Sequence, residues 1–170
     1  MILTAVIILI LVAIDRATKL LAITFLAGKG TVEVIPKFIG LYLLEGGNTG
    51  AAFGMFNGKT IILSVVTFVV IVAMLYVLFF KKFTSKLLKT AVIMITAGGI
   101  GNLYDRVVYG YVTDFLRFLF FEFPIFNFAD SLVSVGACLV VLYIIIAPKD
   151  EPIFVKPIDA KTVVKEENDE

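Results

Sequence analysis

The chain has no histidine and a single cysteine among its 170 residues. That inventory excludes a His/Cys zinc site, a Ser-His-Asp triad and a Cys-His dyad. Cys138, inside the apolar run LVSVGACLVVLY, forms no intrachain disulfide and reads as small apolar packing. Net charge is scarce as well. Fifteen Lys and Arg against 14 Asp and Glu leave +1, which argues neither for nucleic acid nor for an acidic substrate. Any chemistry must come from carboxylates, amides, hydroxyls, lysine or arginine, and the expectation is no metal and no cofactor.

What is abundant is apolar sequence. Sixty per cent of the residues are hydrophobic and the mean hydropathy is +1.03, the profile of an integral membrane protein. Four apolar segments stand out, residues 2–26, 60–80, 87–104 and 127–147, each long enough for the roughly 20 helical residues a hydrocarbon core requires. The first has no basic n-region and no A-x-A-like cleavage site, and apolar sequence resumes after Lys19, so it reads as a spanning helix rather than a signal peptide. The expected fold class is an all-α polytopic membrane protein: four transmembrane helices in one domain, residues 1–147, with a small extracytoplasmic β-sheet and an interfacial segment.

Lysine sets the orientation. Residues 81–89 hold four lysines and no acid, which marks that loop cytoplasmic. Both termini then lie inside as well, and residues 28–59 and 107–126 lie outside. Thr31-Val-Glu-Val-Ile alternates and Phe38-Ile-Gly-Leu-Tyr-Leu-Leu is rich in strand formers, so the first outer segment reads as the sheet. In the second, Tyr109 to Phe115 looks extended, and the phenylalanines from Phe115 to Phe123 suit a stretch dipping into lipid. Residues 148–170 mix Lys with Asp, Glu and three prolines and read as a solvated, poorly ordered cytoplasmic tail with no apolar face to pack.

Against this background the stretch GGIGNLYDRVVYGYVTDFLRFLFFEFPIFNFAD, residues 98–130, is anomalous. It carries Asp105, Asp114 and Asp130 with Asn102 and Asn127. Asn102/Asp105 and Asn127/Asp130 each place an amide and a carboxylate three residues apart, on one face of a helix. Carboxylates at membrane depth are costly and mark functional sites. Counting about 1.5 Å of rise per residue brings Asp15, Asn48, Asn102/Asp105, Asp114 and Asp130 to one level near the outer surface. The pattern suggests paired aspartates at a membrane surface. Simpler readings stand beside it: Asp15 and Lys19 neutralising each other at i,i+4, Asp105 and Arg106 forming a satisfied pair at a helix end, and Gly98-Gly99-x-Gly101 serving close helix packing rather than phosphate binding.

Taken in order, Asp15-Arg-Ala-Thr-Lys19, Asn48-Thr-Gly-Ala-Ala-Phe53, Gly98-Gly-Ile-Gly-Asn102-Leu-Tyr-Asp105-Arg106, Val112-Thr-Asp114-Phe115 and Phe126-Asn127-Phe-Ala129-Asp130 closely resemble the motifs of bacterial lipoprotein signal peptidase (signal peptidase II). The resemblance spans Met1 to about Ala147. It implies an intramembrane aspartic endopeptidase of the bacterial cytoplasmic membrane that cuts prolipoproteins before the lipid-modified cysteine, with its site toward the extracytoplasmic face. It assigns the catalytic pair to Asp114 and Asp130, and substrate-binding or supporting positions to Asn48, Gly50, Gly98, Asn102, Asp105, Arg106, Asn127, Ala129, Asp15 and Lys19. The partners it implies are lipid-modified prolipoproteins and membrane lipids, for a monomer. The residues alone leave three alternatives open: a pair of Asp105 with Asp130, a Ser–Lys peptidase using Ser131 or Ser134 with Lys19, and a small transporter or proton channel with Asp and Asn along its path.

Overall fold

The computed structural model describes residues 1–50, 58–148 and 152–155. Residues 51–53 of the Asn48 motif, and most of the tail, lie outside the described residues. Four helices dominate: α1 (Ile2–Leu26), α2 (Thr60–Phe80), α3 (Lys86–Tyr109) and α4 (Phe128–Ile146). The first two coincide with the expected apolar segments. The third runs five residues beyond the expected residue 104, carrying Asp105 and Arg106 inside the helix. It stops at Gly110, whose φ of 79° gives the left-handed cap that glycine adopts without strain. Ser85 starts it, accepting a hydrogen bond from the Leu88 amide.

Three helices, α2, α3 and α4, are long and apolar enough to cross a membrane. At 25 residues α1 has the length, with Asp15, Arg16 and Lys19 in its middle. Most of the large apolar side chains of α2 point outward, Val65, Val66, Phe68 and Val69 among them, and only Ile71 and Leu78 are buried. An outward apolar coat of this extent suits lipid rather than water. Inside, Ile8, Leu78, Ile93, Ala97 and Leu132 form a core cluster drawn from all four helices.

Glycines bring α3 and α4 together. A Cβ on Gly98 would sit 2.4 Å from the Ala129 carbonyl oxygen, and one on Gly136 would sit 2.6 Å from Ile95. Only a residue without a side chain lets these backbones approach so closely.

Between α1 and α2, and between α3 and α4, the chain builds a three-stranded antiparallel sheet in the order β1 (Val32–Ile35), β2 (Ile39–Leu41), β3 (Leu116–Phe118). The third strand comes from the phenylalanine-rich segment expected to lie in the interface. Its neighbours Phe118, Phe120, Phe121, Phe123 and Phe126 then stack on one another with ring centroids 4.6–5.9 Å apart, keeping the segment apolar while its backbone is satisfied by the sheet. Pairing of Asn48 with Val112 ties the α1–α2 connection to the α3–α4 connection, and pairing of Leu116 with Phe126 closes the latter on itself, next to the helix ends.

The start of the tail is held. The Val155 amide donates to the Lys82 carbonyl (2.8 Å), the Thr84 amide to the Ile153 carbonyl (3.2 Å), and Phe154 meets Phe83 edge-on. Residues 152–155 are therefore held against the lysine loop by backbone bonds and by Phe154, an apolar contact that the expectation of a solvated, poorly ordered tail did not include.

Candidate active site

Asp114 follows the bridge at Val112, so its backbone is pinned: the Leu44 amide donates to its carbonyl oxygen and the Tyr42 amide to that of Phe115. Its side chain is buried, with Oδ2 accepting from Asn48 Nδ2 (2.9 Å) and Oδ1 from Asn127 Nδ2 (2.6 Å). Asp130 stands in the first turn of α4, where Asn127 is the N-cap. Asn127 Oδ1 accepts from the Asp130 amide and Asp130 Oδ2 accepts from the Asn127 amide, a reciprocal capping box. Asp130 Oδ1 accepts from Asn102 Nδ2 at 2.7 Å. Position and orientation of both carboxylates thus follow from local chain geometry plus three asparagines, of which Asn102 and Asn127 join the two.

Asn102 and Asn127 have no freedom to flip. Asn102 Oδ1 lies between two donors, Lys19 Nζ (3.0 Å) and Asn127 Nδ2 (3.1 Å), so its Nδ2 must face Asp130. Asn127 spends its oxygen on the Asp130 amide, so its Nδ2 must face Asp114 and Asn102. One amide pair therefore connects the two aspartates and fixes which atoms point at them.

Behind this layer is a buried cation. Lys19 is fully buried and its Nζ meets Asp15 Oδ2 (2.9 Å), Asp105 Oδ2 (3.1 Å) and Asn102. Asp15 Oδ1 accepts from the Ala129 amide, one of the free donors in the first turn of α4. Asp105 accepts from the Thr113 amide and pairs with Arg16 Nη1. Arg16 also lies over Tyr104 and Tyr109 at 4.5 and 5.5 Å. Lys19, Asp15 and Asp105 knit α1 to α3, to the start of α4 and to the Thr113 loop that carries Asp114.

Two sequence expectations change here. Asp15 and Lys19 do pair, but Lys19 also reaches Asp105 and Asn102, so the pair is part of the network and not a self-contained neutralisation. Asp105 and Arg106 are not partners: successive residues point about 100° apart around a helix. Asp105 turns inward to Arg16 and Lys19, while Arg106 turns to the cavity, where its Nη2 donates to the Gly50 carbonyl at 3.3 Å. Arg16, which in the sequence is only a neighbour of the Asp15–Lys19 pair, is the partner of Asp105. Its signal was a third charge in an apolar helix, which needs a partner of its own.

Asn48, Arg106, Asp114 and Asp130 open on one cavity of about 490 Å³, whose remaining wall includes Phe118, Phe126, Val133 and Val135. It has a polar end and an apolar side. Burial pushes the Asp114 carboxyl up from 3.8 to about 7, the nearby Asp130 charge adds to the rise, and the bonds from Asn48 and Asn127 hold it back. Near neutral pH, Asp114 is thus poised between acid and carboxylate. Ser131 and Ser134 also line the cavity, but Lys19 is committed to two carboxylates and Ser131 Oγ donates to the Asn127 carbonyl. That arrangement gives a Ser–Lys mechanism no free base. No group of metal-ligating side chains occurs among the described residues.

Residues 7–146 match the family described as Signal peptidase (SPase) II. The chain is 43% identical over 143 residues to the lipoprotein signal peptidase of Clostridium tetani, covering 82% of this chain and 90% of that one. To the Enterococcus faecalis lipoprotein signal peptidase it is 39% identical over 140 residues, with 82% and 86% covered. A bacterial membrane enzyme solved by the in meso method at 2.3 Å superposes with a TM-score of 0.75 at 29% identity, covering 90% of this chain and 94% of that one. A multi-pass, mostly helical chain with this site and these relatives belongs to the signal peptidase II family of peptidases.

Proposed function

We propose that the chain removes signal peptides from lipid-modified prolipoproteins, cutting before the diacylglyceryl-cysteine, with Asp114 and Asp130 as the catalytic pair. The observation that carries the assignment is convergence: two carboxylates from separate elements, joined through Asn127 and Asn102, face one cavity with apolar walls. Asp105 also lies close, but its oxygens are occupied by Lys19, Arg16 and the Thr113 amide, which favours Asp114 over it.

The reaction divides the proton work between the two acids. Asp130, at a helix N-terminus and receiving two N–H bonds, carries the negative charge and takes a proton from a water held between the carboxylates. Asp114, protonated, donates to the scissile carbonyl oxygen as the water oxygen bonds to carbon. The tetrahedral intermediate collapses when the acid now on Asp130 protonates the leaving amine, and the Asp114 carboxylate recovers the gem-diol proton. Two carboxylates that face one cavity and repel each other's charge share a proton, and their titration belongs to the pair.

The apolar wall suits the acyl chains and hydrophobic helix of such a substrate. Four spanning helices, α1 included, account for how Asp15 and Lys19 lie buried at the level of the site. The lysine loop then faces the cytoplasm and the sheet lies outside the membrane. The proposal takes the working unit to be a monomer. The direct test is incubation of the purified protein with a lipidated prolipoprotein and mass analysis of the products. Release of an intact signal peptide ending just before the lipid-bearing cysteine supports the proposal; an uncut substrate, or a cut elsewhere, refutes it.

A further inference from the structure

At the opposite end of the bundle the chain forms a second polar–apolar cavity. It lies where α2 ends and α3 begins, about 24 Å along α3 from Asp105 at 1.5 Å per residue, and measures about 460 Å³. Lys81, Lys82, Lys86 and Lys89 line it together with Phe79 and Phe83. Among the described residues none of these four lysines has an ion-pair partner: the salt bridges present all belong to the cluster of Arg16, Lys19, Asp15 and Asp105. Among the described residues, no acidic one lines the cavity.

The loop that carries these lysines is built rather than loose. Phe83 pairs with Phe154, the Val155 amide bonds to Lys82 and the Thr84 hydroxyl bonds to the Pro152 carbonyl at 2.8 Å. Ser85 caps α3, so the first turn of that helix adds its free amides and positive dipole end to the lysines. Four cations around one cavity, with no ion-pair partner among the described residues, call for a multivalent anion. The aromatic wall, continuous with the outward apolar surface of α2 through Phe80, calls for an apolar portion on the same ligand.

We propose that this cavity binds the phosphate headgroup of an anionic phospholipid, with the lipid's acyl chains lying along the apolar end of α2. Basic clusters at a membrane-facing helix end attract acidic lipids in this way, and a free phosphate ester shares the charge but not the apolar contact. The site is separate from the aspartate cavity and stands whether or not the peptidase reading holds.

The test uses the full chain in a neutral detergent, with phosphatidylglycerol or phosphatidylcholine of identical acyl chains, and counts retained lipid by native mass spectrometry. One phosphatidylglycerol should be retained at least about tenfold better than phosphatidylcholine. The preference should fall to that of phosphatidylcholine in K81Q/K82Q/K86Q/K89Q, with helical circular dichroism confirming the fold. Should that variant fail to insert, K82Q and K86Q singly should each reduce the preference. Millimolar glycerol phosphate should compete poorly, because it lacks the acyl chains; full displacement by it would assign the pocket to a soluble phosphate ester and overturn the lipid assignment. Equal retention of the two lipids, or a preference untouched by the lysine substitutions, would overturn the proposal. So would phosphatidylglycerol binding that appears only after residues 156–170 are deleted, since the pocket would then belong to the chain's own acidic tail.

Discussion

Raising the pH should destabilise the wild-type protein in a way that Asp114→Asn does not share. The folded-state pKa of Asp114 lies near 7 and its ordinary value is 3.8. Below 3.8 both folded and unfolded chains hold the proton, and stability from this group is fully present. Between the two values only the folded chain holds it, so each pH unit costs about 1.4 kcal/mol. Above 7 both are ionised and the loss is complete. From pH 5 to pH 8 the wild type should therefore lose about 3 kcal/mol through this group, or roughly 6–12 °C in Tm for a chain of this length. Subtracting the Tm of Asp114→Asn at each pH removes the groups common to both proteins. Thermal unfolding in detergent, followed by circular dichroism, gives the curve. Parallel profiles for the two proteins, or a wild type that gains on the variant as pH rises, would refute the claim that burial and the Asp130 charge hold a proton on Asp114.

Asp105→Asn should lower stability by about 3–5 kcal/mol in thermal unfolding, because Arg16 and Lys19 would stay charged with one partner fewer; an unchanged Tm would contradict the network. Gly98→Ala would set a Cβ 2.4 Å from the Ala129 carbonyl. It should cost about 1–3 kcal/mol and, by shifting Asp130 relative to Asp114, about a hundredfold in kcat; wild-type turnover in that variant would show that α4 tolerates displacement. With Cys138 replaced by alanine, a single cysteine at Lys37 should react with impermeant thiol reagents in intact cells while one in the 81–89 loop stays protected, and the reverse pattern would invert the proposed orientation.

The sequence exposed the helices because nothing competes with length and apolarity in setting them: α1 and α2 match to the residue. It was less informative at the end of α3, where Asp105 and Arg106 looked like punctuation and are helix interior. Gly110 was the real stop. Strand β3 was hidden because the phenylalanines in and around it serve lipid contact and strand formation equally well. In the site, the Asn127–Asp130 spacing pointed to two polar groups on one helix face; Asn127 instead stands just ahead of α4 as its N-cap, and the spacing is that of a capping box. The pairing of Asp105 with Arg16 was not legible, because which of two neighbouring charges turns inward depends on the rotation of α3 against α1. The same holds for Lys19: its i,i+4 partner was visible, and its reach to Asn102 is a tertiary fact.

The central claim is that Asp114 and Asp130 together perform the hydrolysis. The measurement is single-turnover cleavage of a lipidated prolipoprotein by the wild type, Asp114→Asn and Asp130→Asn, alongside substrate binding. Each variant should bind the substrate within about threefold of the wild type and lose at least about a thousandfold in rate, with the wild-type kcat/KM following a bell across pH. Full activity in either variant, or an inactive and well-folded Asp105→Asn beside an active Asp114→Asn, would contradict the assignment and move the pair to Asp105 and Asp130.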